Sequence, residues 1–330
     1  MIYLHSPSTD PYFNLALEQI VFDDFDARQS YFMLWQNDNT IVVGKNQNTA
    51  EEINAAFVKE KSINVVRRLS GGGAVYHDLG NLNFTFITDV KDCARLNLAF
   101  FCEPIVKTLK GLGIEDVQID GRNDITIAGK KFSGNAQYIK RGRIMHHGTI
   151  MFDSDLSTVS KALNVLPDKI VSKGFKSVKS RITNILPHLK NKITLKEFEN
   201  VLIENIFDKN DFKNYTLTDE DLKKVYILRD EKYATWQWVY GASPEYSVKK
   251  KRKFEGCGSI EVLMKVVGGK ILDIHFYGDY FGIQDSADLA KILVNKDLNL
   301  QSLEQTLKHI DIDSYFHNLN KESFLALMLL

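Results

Sequence analysis

The chain has 330 residues, 44 % of them hydrophobic and 25 % charged, a length that predicts about two domains at roughly 150 residues each. Lys plus Arg number 42, Asp plus Glu also 42, and the formal net charge is +0 at pH 7, which disfavours a protein built to sheath a polyanion and so argues against a nucleic-acid partner. Twenty glycines and six prolines fit neither a linker nor a collagen, and the charged and aromatic content is that of an ordinary globular chain.

A helix is expected over Tyr12 to Asp24, because Phe13, Ala16, Leu17, Ile20 and Val21 fall on one helical face behind Pro11. Tyr31 to Trp35 and Thr40 to Val43 flank the polar stretch Gln36-Asn37-Asp38-Asn39 and read as a hairpin. Val65 to Arg68 forms another strand that enters Ser70-Gly71-Gly72-Gly73, and the chain resumes extended through Ala74 to Asp78 and again past Gly80-Asn81. A longer helix covers Ala94 to Leu109 and stops at Gly111-Leu112-Gly113, with Pro104 as a kink or break. Val117 to Asp120, Asp124 to Ala128 and Met145 to Phe152 are three further strands, so the first part of the chain is a mixed sheet with helices inserted.

Thr194-x-x-Glu197 has the form of a capping box, and another helix follows over Asp219 to Arg229. The pattern breaks at Trp236-Gln237-Trp238 and Gly241 to Pro244, just before the basic run Lys249 to Lys253, which places a domain boundary near residue 245. Beyond it, Ser259 to Val267 and Lys270 to Phe276 flank Gly268-Gly269 as a hairpin, and two or three helices end the chain. Cys93, Cys102 and Cys257 are odd in number and lack C-x-x-C spacing, so reduced, buried thiols are expected. No signal peptide and no run near ~18 uninterrupted apolar residues is visible; the expectation is a soluble, cytoplasmic protein without a membrane partner.

The chemistry concentrates in Arg67-Arg68-Leu69-Ser70-Gly71-Gly72-Gly73-Ala74-Val75-Tyr76-His77-Asp78. Three successive glycines let backbone N–H groups approach an anion closely, and two adjacent guanidinium groups match phosphate or carboxylate oxygens. The plainer alternative is a tight turn with solvated arginines. A Walker loop is excluded because Gly129-Lys130 is followed by Lys131, and a Rossmann fingerprint because Gly71-x-Gly73 reaches Tyr76 and runs into a strand. In the segment Gly121 to Gln137, strand alternation points Lys131 inward if Lys130 faces water. His146 and His147 are neighbours on a strand, face opposite sides, and make a poor zinc site.

The ordered motifs R-R-x-S-G-G-G-A-V-[YF]-H-D-x-G-N, G-R-N-D, K-x-S-G-x-A and H-H-G-T resemble the pattern of lipoate-protein ligases. The resemblance runs from Asn14-Leu15-Ala16-Leu17-Glu18 through Ser177 to Asn184 and Trp236 to Trp238, nearly the whole chain. It implies an α+β catalytic domain over residues 1–245, a mixed sheet with flanking helices of the biotin/lipoate ligase type, and a small α/β accessory (lid) domain over 246–330. The implied reaction activates lipoate with ATP and Mg²⁺ to lipoyl-AMP, then transfers the lipoyl group to a lysine of an apo lipoyl-domain protein, a 2-oxoacid dehydrogenase E2 subunit or the glycine cleavage H protein.

Carried over by position, the resemblance makes Lys131 the catalytic residue, meeting both the lipoate carboxylate and the α-phosphate. Arg68 would hold ATP phosphates, Gly73, Ala74, Val75 and Tyr76 would cradle the nucleotide, and Asn123 and Asp124 would lie at the phosphate or Mg²⁺ edge. Ser70, Gly71, Gly72, His77 and His147 would line the lipoyl pocket, although satisfied structural histidines are an equal reading of the last two. The basic run at 249–253 would steer acidic acceptors, or merely keep a strand edge soluble. Two rival functions stand beside the ligase: an octanoyl or lipoyl amidotransferase working through a cysteine thioester, and a non-catalytic lipoate-binding protein.

Overall fold

The computed structural model describes residues 1–45, 47, 49–92, 98–120, 123–163, 181–207, 213–241, 246–278, 280, 282 and 284–329. Cys93, the start of the helix expected from Ala94, Gly121-Arg122, Ser177 to Ser180 and Ala242 to Pro244 lie outside the described residues. The chain divides into two compact units, one of residues 1–45 and 62–234, the other of residues 46–61 and 235–330. The sequence offered no sign that the short segment 46–61 groups with the second unit.

The strands of the first unit are β1 (Ile2–His5), β2 (Tyr31–Trp35), β3 (Thr40–Val43), β4 (Asn64–Arg67), β5 (Val75–His77), β6 (Asn81–Asp89), β7 (Val117–Asp120), β8 (Asp124–Ile127), β9 (Lys130–Lys140), β10 (Arg143–Met151) and β11 (Lys213–Asn214). Eight of them form one mixed sheet in the order β11-β1-β2-β6-β10-β9-β8-β7, and β4-β3-β5 form a second, small sheet. The expected hairpin over residues 31–43 is therefore corrected. β2 pairs with β1 and β6, while β3 pairs with β4 and β5. Both strands are buried along their whole length, so neither has a solvent face, and the polar stretch between them carries the chain from one sheet to the other. Asn14 fixes that crossing by donating to the Gln36 carbonyl at 2.7 Å and to Asn37 Oδ1 at 2.9 Å.

Helix α1 (Pro11–Asp23) begins where Asp10 accepts the Tyr12 amide and Pro11 takes the first turn. It is buried nearly all round, as a helix between two layers must be. Its Asn14 and Glu18, four residues apart, share one stripe. Arg143 caps its C-terminal end, with Nη1 donating to the Phe22 carbonyl and to those of Val21 and Phe25 at 3.2 Å each. The opposite face of the large sheet is covered by the helices Leu98–Gly111 and Leu195–Ile206, whose Phe101, Ile105, Leu109, Phe198 and Leu202 join Phe84, Phe86, Ile144 and Ile150 in one core. The first of these helices runs through Pro104 without a break, because proline's fixed φ is helical and only one ladder hydrogen bond is lost. The capping box at Thr194 and Glu197 is formed with both of its hydrogen bonds.

In the second unit β12 (Tyr246–Phe254), β13 (Gly258–Val267) and β14 (Lys270–Gly278) make an antiparallel sheet in that order. Three helices, Ser286–Leu293, Leu300–Thr306 and Lys321–Leu329, pack on its apolar face. The basic run lies on the edge strand β12, where Lys249 pairs with Glu261 at 2.6 Å and Lys250 donates to the Met328 carbonyl at 3.0 Å.

Candidate active site

Strand alternation decides which side chains share the site. Across the large sheet Thr85, His147 and Ala136 stand in one row, and Asn83 and Thr149 in the next row on the same face. Phe86, His146 and Gln137 form a row of the other face. The two histidines accordingly part. His146 stacks on Phe101, ring centroids 4.6 Å apart, and is hydrogen-bonded by Gln137 and Asn135, a satisfied core histidine. Burial pushes its imidazole down to about 3.

His147 faces a pocket lined by Leu15, Trp35, Val42, Arg68, Gly73, Ala74, Val75, His77, Asn83, Asn123, Lys131, Asn135 and Ala136, among others. Behind the wall its Nδ1 lies 2.8 Å from Glu18 Oε1 and its Nε2 2.6 Å from Ser70 Oγ. With Nδ1–H donating to the carboxylate, Nε2 accepts from the Ser70 hydroxyl. Glu18 also accepts from Thr85 Oγ1 at 2.7 Å, and Thr85 from Trp35 Nε1 at 2.9 Å. The Ser70-His147-Glu18 spacing matches a nucleophile–base–orienter triad. Ser70, however, is 1 % exposed and is not part of the pocket wall, so the chain of bonds holds the glycine loop rather than presenting a nucleophile.

Both arginines lie inside the fold, not in solvent. Arg67 Nη1 donates to the carbonyls of Gly44 and Lys45 at 2.9 Å each. Arg68 donates from Nε to Ser70 Oγ at 3.0 Å, from Nη1 to the Val42 carbonyl at 3.1 Å, and from Nη2 to the Gly71 and Gly73 carbonyls at 2.7 and 2.8 Å. Burial pushes its guanidinium down to about 10, opposed by the nearby Glu18. Arg68 thus shapes the glycine loop from within, and Gly72, at φ 93°, takes a turn that L side chains resist.

His77 and Asn83 supply unsatisfied donors. Asn37 Nδ2 lies 3.2 Å from His77 Nδ1, which makes Nδ1 the acceptor and puts the proton on Nε2. That Nε2 is buried without a partner, and so is Asn83 Nδ2, whose Oδ1 accepts from Asn81. Burial first, then the nearby Arg68 guanidinium, push His77 down to about 3 and keep it neutral. Buried polar atoms are almost always paired in a finished structure, so two orphan donors in one pocket wall fit a ligand with acceptor atoms.

Lys131 provides the cation. Asp124 is the register partner of Gly134 across β8 and β9, and the Lys131 side chain reaches over Gly134 to put Nζ 2.8 Å from Asp124 Oδ1. A Cβ on Gly134 would stand 2.7 Å from that Nζ. Arg181 Nη2 reaches the other Asp124 oxygen at 3.1 Å. Lys130, by contrast, faces water.

Of the residues expected from the sequence, Arg68, Gly73, Ala74, Val75, His77, Asn123, Lys131 and His147 meet at the pocket. Asp124 touches it through Lys131. Ser70, Gly71 and Gly72 do not line it: Ser70 is buried and Gly72 exposed in the loop that Arg68 holds, and Tyr76 turns away, its hydroxyl donating to Asn39 Oδ1 at 3.0 Å. Gly134, Asn135, Ala136, Gly148 and Thr149, within the quoted K-x-S-G-x-A and H-H-G-T motifs, were not named as site residues, and Leu15, Trp35, Val42 and Asn83 were missed as well. Each of the latter sits in an apolar or alternating run that carries no signal beyond burial, although Leu15 and Glu18 belong to the Asn14-Leu15-Ala16-Leu17-Glu18 motif.

Comparison with known proteins gives the family. The Lipoyl protein ligase A/B catalytic domain family matches residues 10–207, and the Bacterial lipoate protein ligase C-terminus family matches residues 243–328. The chain is 44 % identical over 322 residues to the lipoate-protein ligase LplJ of Bacillus subtilis (strain 168), covering 97 % of each chain. Among solved structures it resembles the bi-partite lipoate protein ligase of Thermoplasma acidophilum, studied with its E2 lipoyl domain, at TM-score 0.65 and 27 % identity over 75 % of this chain and 98 % of that one. A lipoate-protein ligase A bound with ATP aligns at TM-score 0.63 and 25 % identity over 73 % of this chain and 98 % of that one. With family matches to both parts of the chain and a relative of this identity over nearly its full length, the chain belongs to the lipoate-protein ligase family.

Proposed function

We propose that the protein activates lipoate with ATP and then attaches the lipoyl group to a lysine of an acceptor lipoyl domain. The observation that carries this reading is the Lys131 ammonium at a pocket whose glycine loop and orphan donors suit an anionic ligand. In the first step a lipoate carboxylate oxygen bonds to the α-phosphorus of ATP, and the bond to the β-phosphate breaks, releasing pyrophosphate with its electron pair. Both reactants are anions, and Lys131 between them lowers their repulsion as the bond forms. His77 and Asn83 would donate to the nucleotide or the acyl carboxylate. In the second step the neutral amine of the acceptor lysine attacks the carbonyl carbon, AMP leaves, and the amine's proton passes to solvent. Exclusion of water once both reactants fill the pocket would protect the mixed anhydride between the steps.

Mg²⁺ would enter with the nucleotide and draw charge from its phosphates. Both Asp124 oxygens already serve Lys131 and Arg181, and among the described residues no group of three His, Cys, Asp or Glu side chains could hold a metal ion, so phosphate oxygens and water fit better as its ligands. The relatives support E2 subunits as acceptors, and the H protein follows by the same chemistry. Residues 1–245 would carry the reaction and residues 246–330 an accessory, lid-like role. Among the described residues no helix is long and apolar enough to cross a membrane, which suits work in the cytoplasm.

The deciding experiment is ATP–pyrophosphate exchange dependent on lipoate, followed by transfer to an apo lipoyl domain. Lys131→Ala should slow exchange by roughly 10²–10³, the usual effect of removing one group that stabilises developing charge. Exchange at the parent rate in folded Lys131→Ala protein would refute the assignment.

A further inference from the structure

Arg181 was not among the expected site residues, yet the fold brings it to Lys131 by two routes. The backbone route is a short parallel pairing. Ile182 pairs with Lys131, and the Thr183 amide donates to the Lys131 carbonyl at 2.9 Å. The side-chain route passes through Asp124, a carboxylate 3 % exposed, which lies 2.8 Å from Lys131 Nζ with one oxygen and 3.1 Å from Arg181 Nη2 with the other. Two cations thus share one buried carboxylate, which divides its charge between them as a single Asp124–Lys131 pair would not.

That difference bears on the chemistry proposed above. An ammonium bound tightly to its own carboxylate must surrender that bond before it can serve an incoming carboxylate and phosphate. A second cation on Asp124 competes for the same negative charge and loosens the hold, while the Ile182–Lys131 pairing keeps the competing guanidinium in register. We propose that Arg181 is a positioning residue of the activation step, acting through Asp124 to set where the Lys131 ammonium stands and to leave its charge free for the reacting anions. The inference rests on the ligase reading. It goes further by assigning Arg181 a role in turnover without contact to either substrate.

The test is single-turnover adenylate formation from ATP and lipoate, read so that slow variants remain measurable. The parent protein comes first: no lipoyl-AMP there would defeat the ligase reading and leave Arg181 aside. Given activity, Arg181→Gln should lower the maximal rate about 10- to 100-fold while the half-saturating ATP and lipoate concentrations stay within about threefold. Arg181→Lys, which keeps a cation at the end of a flexible stem, should recover most of the rate. Asp124→Asn removes the shared carboxylate, and adding Arg181→Gln to it should change the rate by less than about twofold, because the guanidinium then has no charge to compete for. Three results would overturn the proposal: a raised ATP requirement at unchanged maximal rate, an unchanged rate in Arg181→Gln, or losses that multiply in the double variant.

Discussion

Arg68→Ala separates two accounts of the same residue, one in which the guanidinium grips nucleotide phosphates and one in which it holds the glycine loop from inside. The structure has it donating to Ser70 Oγ and to the carbonyls of Val42, Gly71 and Gly73. A hydrogen bond from a charged donor contributes roughly 1.5–3 kcal/mol, but two effects offset that sum. Truncation also removes a desolvated cation, whose burial has already lowered its pKa to about 10, and the adjoining pocket admits water to the freed carbonyls. A net loss of about 3 kcal/mol follows, in the range for breaking a buried polar network. For a unit of this size each kcal/mol lowers the melting temperature by ~2–4 °C, so thermal unfolding followed by circular dichroism should show a fall of roughly 6–12 °C. Arg68→Lys, reaching fewer of the four acceptors, should fall between. A melting temperature within about 1 °C of the parent, with only the ATP requirement raised, would refute the reasoning and return Arg68 to the phosphates.

Gly134→Ala should fold normally, since the atom it displaces is the far end of a flexible lysine, yet slow adenylate formation by about tenfold or more because Lys131 can no longer cross to Asp124; parent activity would show that this path is dispensable. Acid stability tests the buried histidines. His77 and His146 are held down to about 3 by burial, against 6.5 in an unfolded chain, so the unfolded state binds more protons between these values. Their stabilising contribution is complete above about pH 6.5 and is lost as pH falls toward 3, by at most ~1.4 kcal/mol per pH unit for each group. His146→Gln should flatten the acid limb of a plot of urea midpoint against pH, and parallel curves would count against the buried, neutral imidazole. Replacing Cys93, Cys102 and Cys257 together by Ser or Ala should leave ATP-dependent lipoylation intact at a stability cost of about 1 kcal/mol, because Cys102 is buried with its thiol pushed up to about 12 and Cys257 is buried in the second unit. Complete loss of transfer in that variant, with a hydroxylamine-sensitive acyl-enzyme in the parent, would favour the thioester mechanism.

What could be read from the sequence was local chemistry at short spacing. The α1 face, the capping box at Thr194, the β13–β14 hairpin and the opposed directions of His146 and His147 all follow from periods of 3.6 and 2, which are properties of the backbone alone. The glycine triplet could be picked out on local chemistry too, since small residues beside cations favour a close approach of backbone to an anion; Lys131 was singled out by the resemblance of its motif. Tertiary structure alone decided whether β2 and β3 pair with each other, because two fully buried strands have no polar face to register against and the Asn14 contacts that split them come from elsewhere in the chain. It alone placed Glu18 behind His147 and Arg181 beside Asp124, contacts across 129 and 57 residues. And it alone turned Arg68 inward, since a guanidinium beside a glycine loop has equal chemistry for phosphate oxygens and for the loop's own carbonyls, and only the packing around it selects which of them it meets.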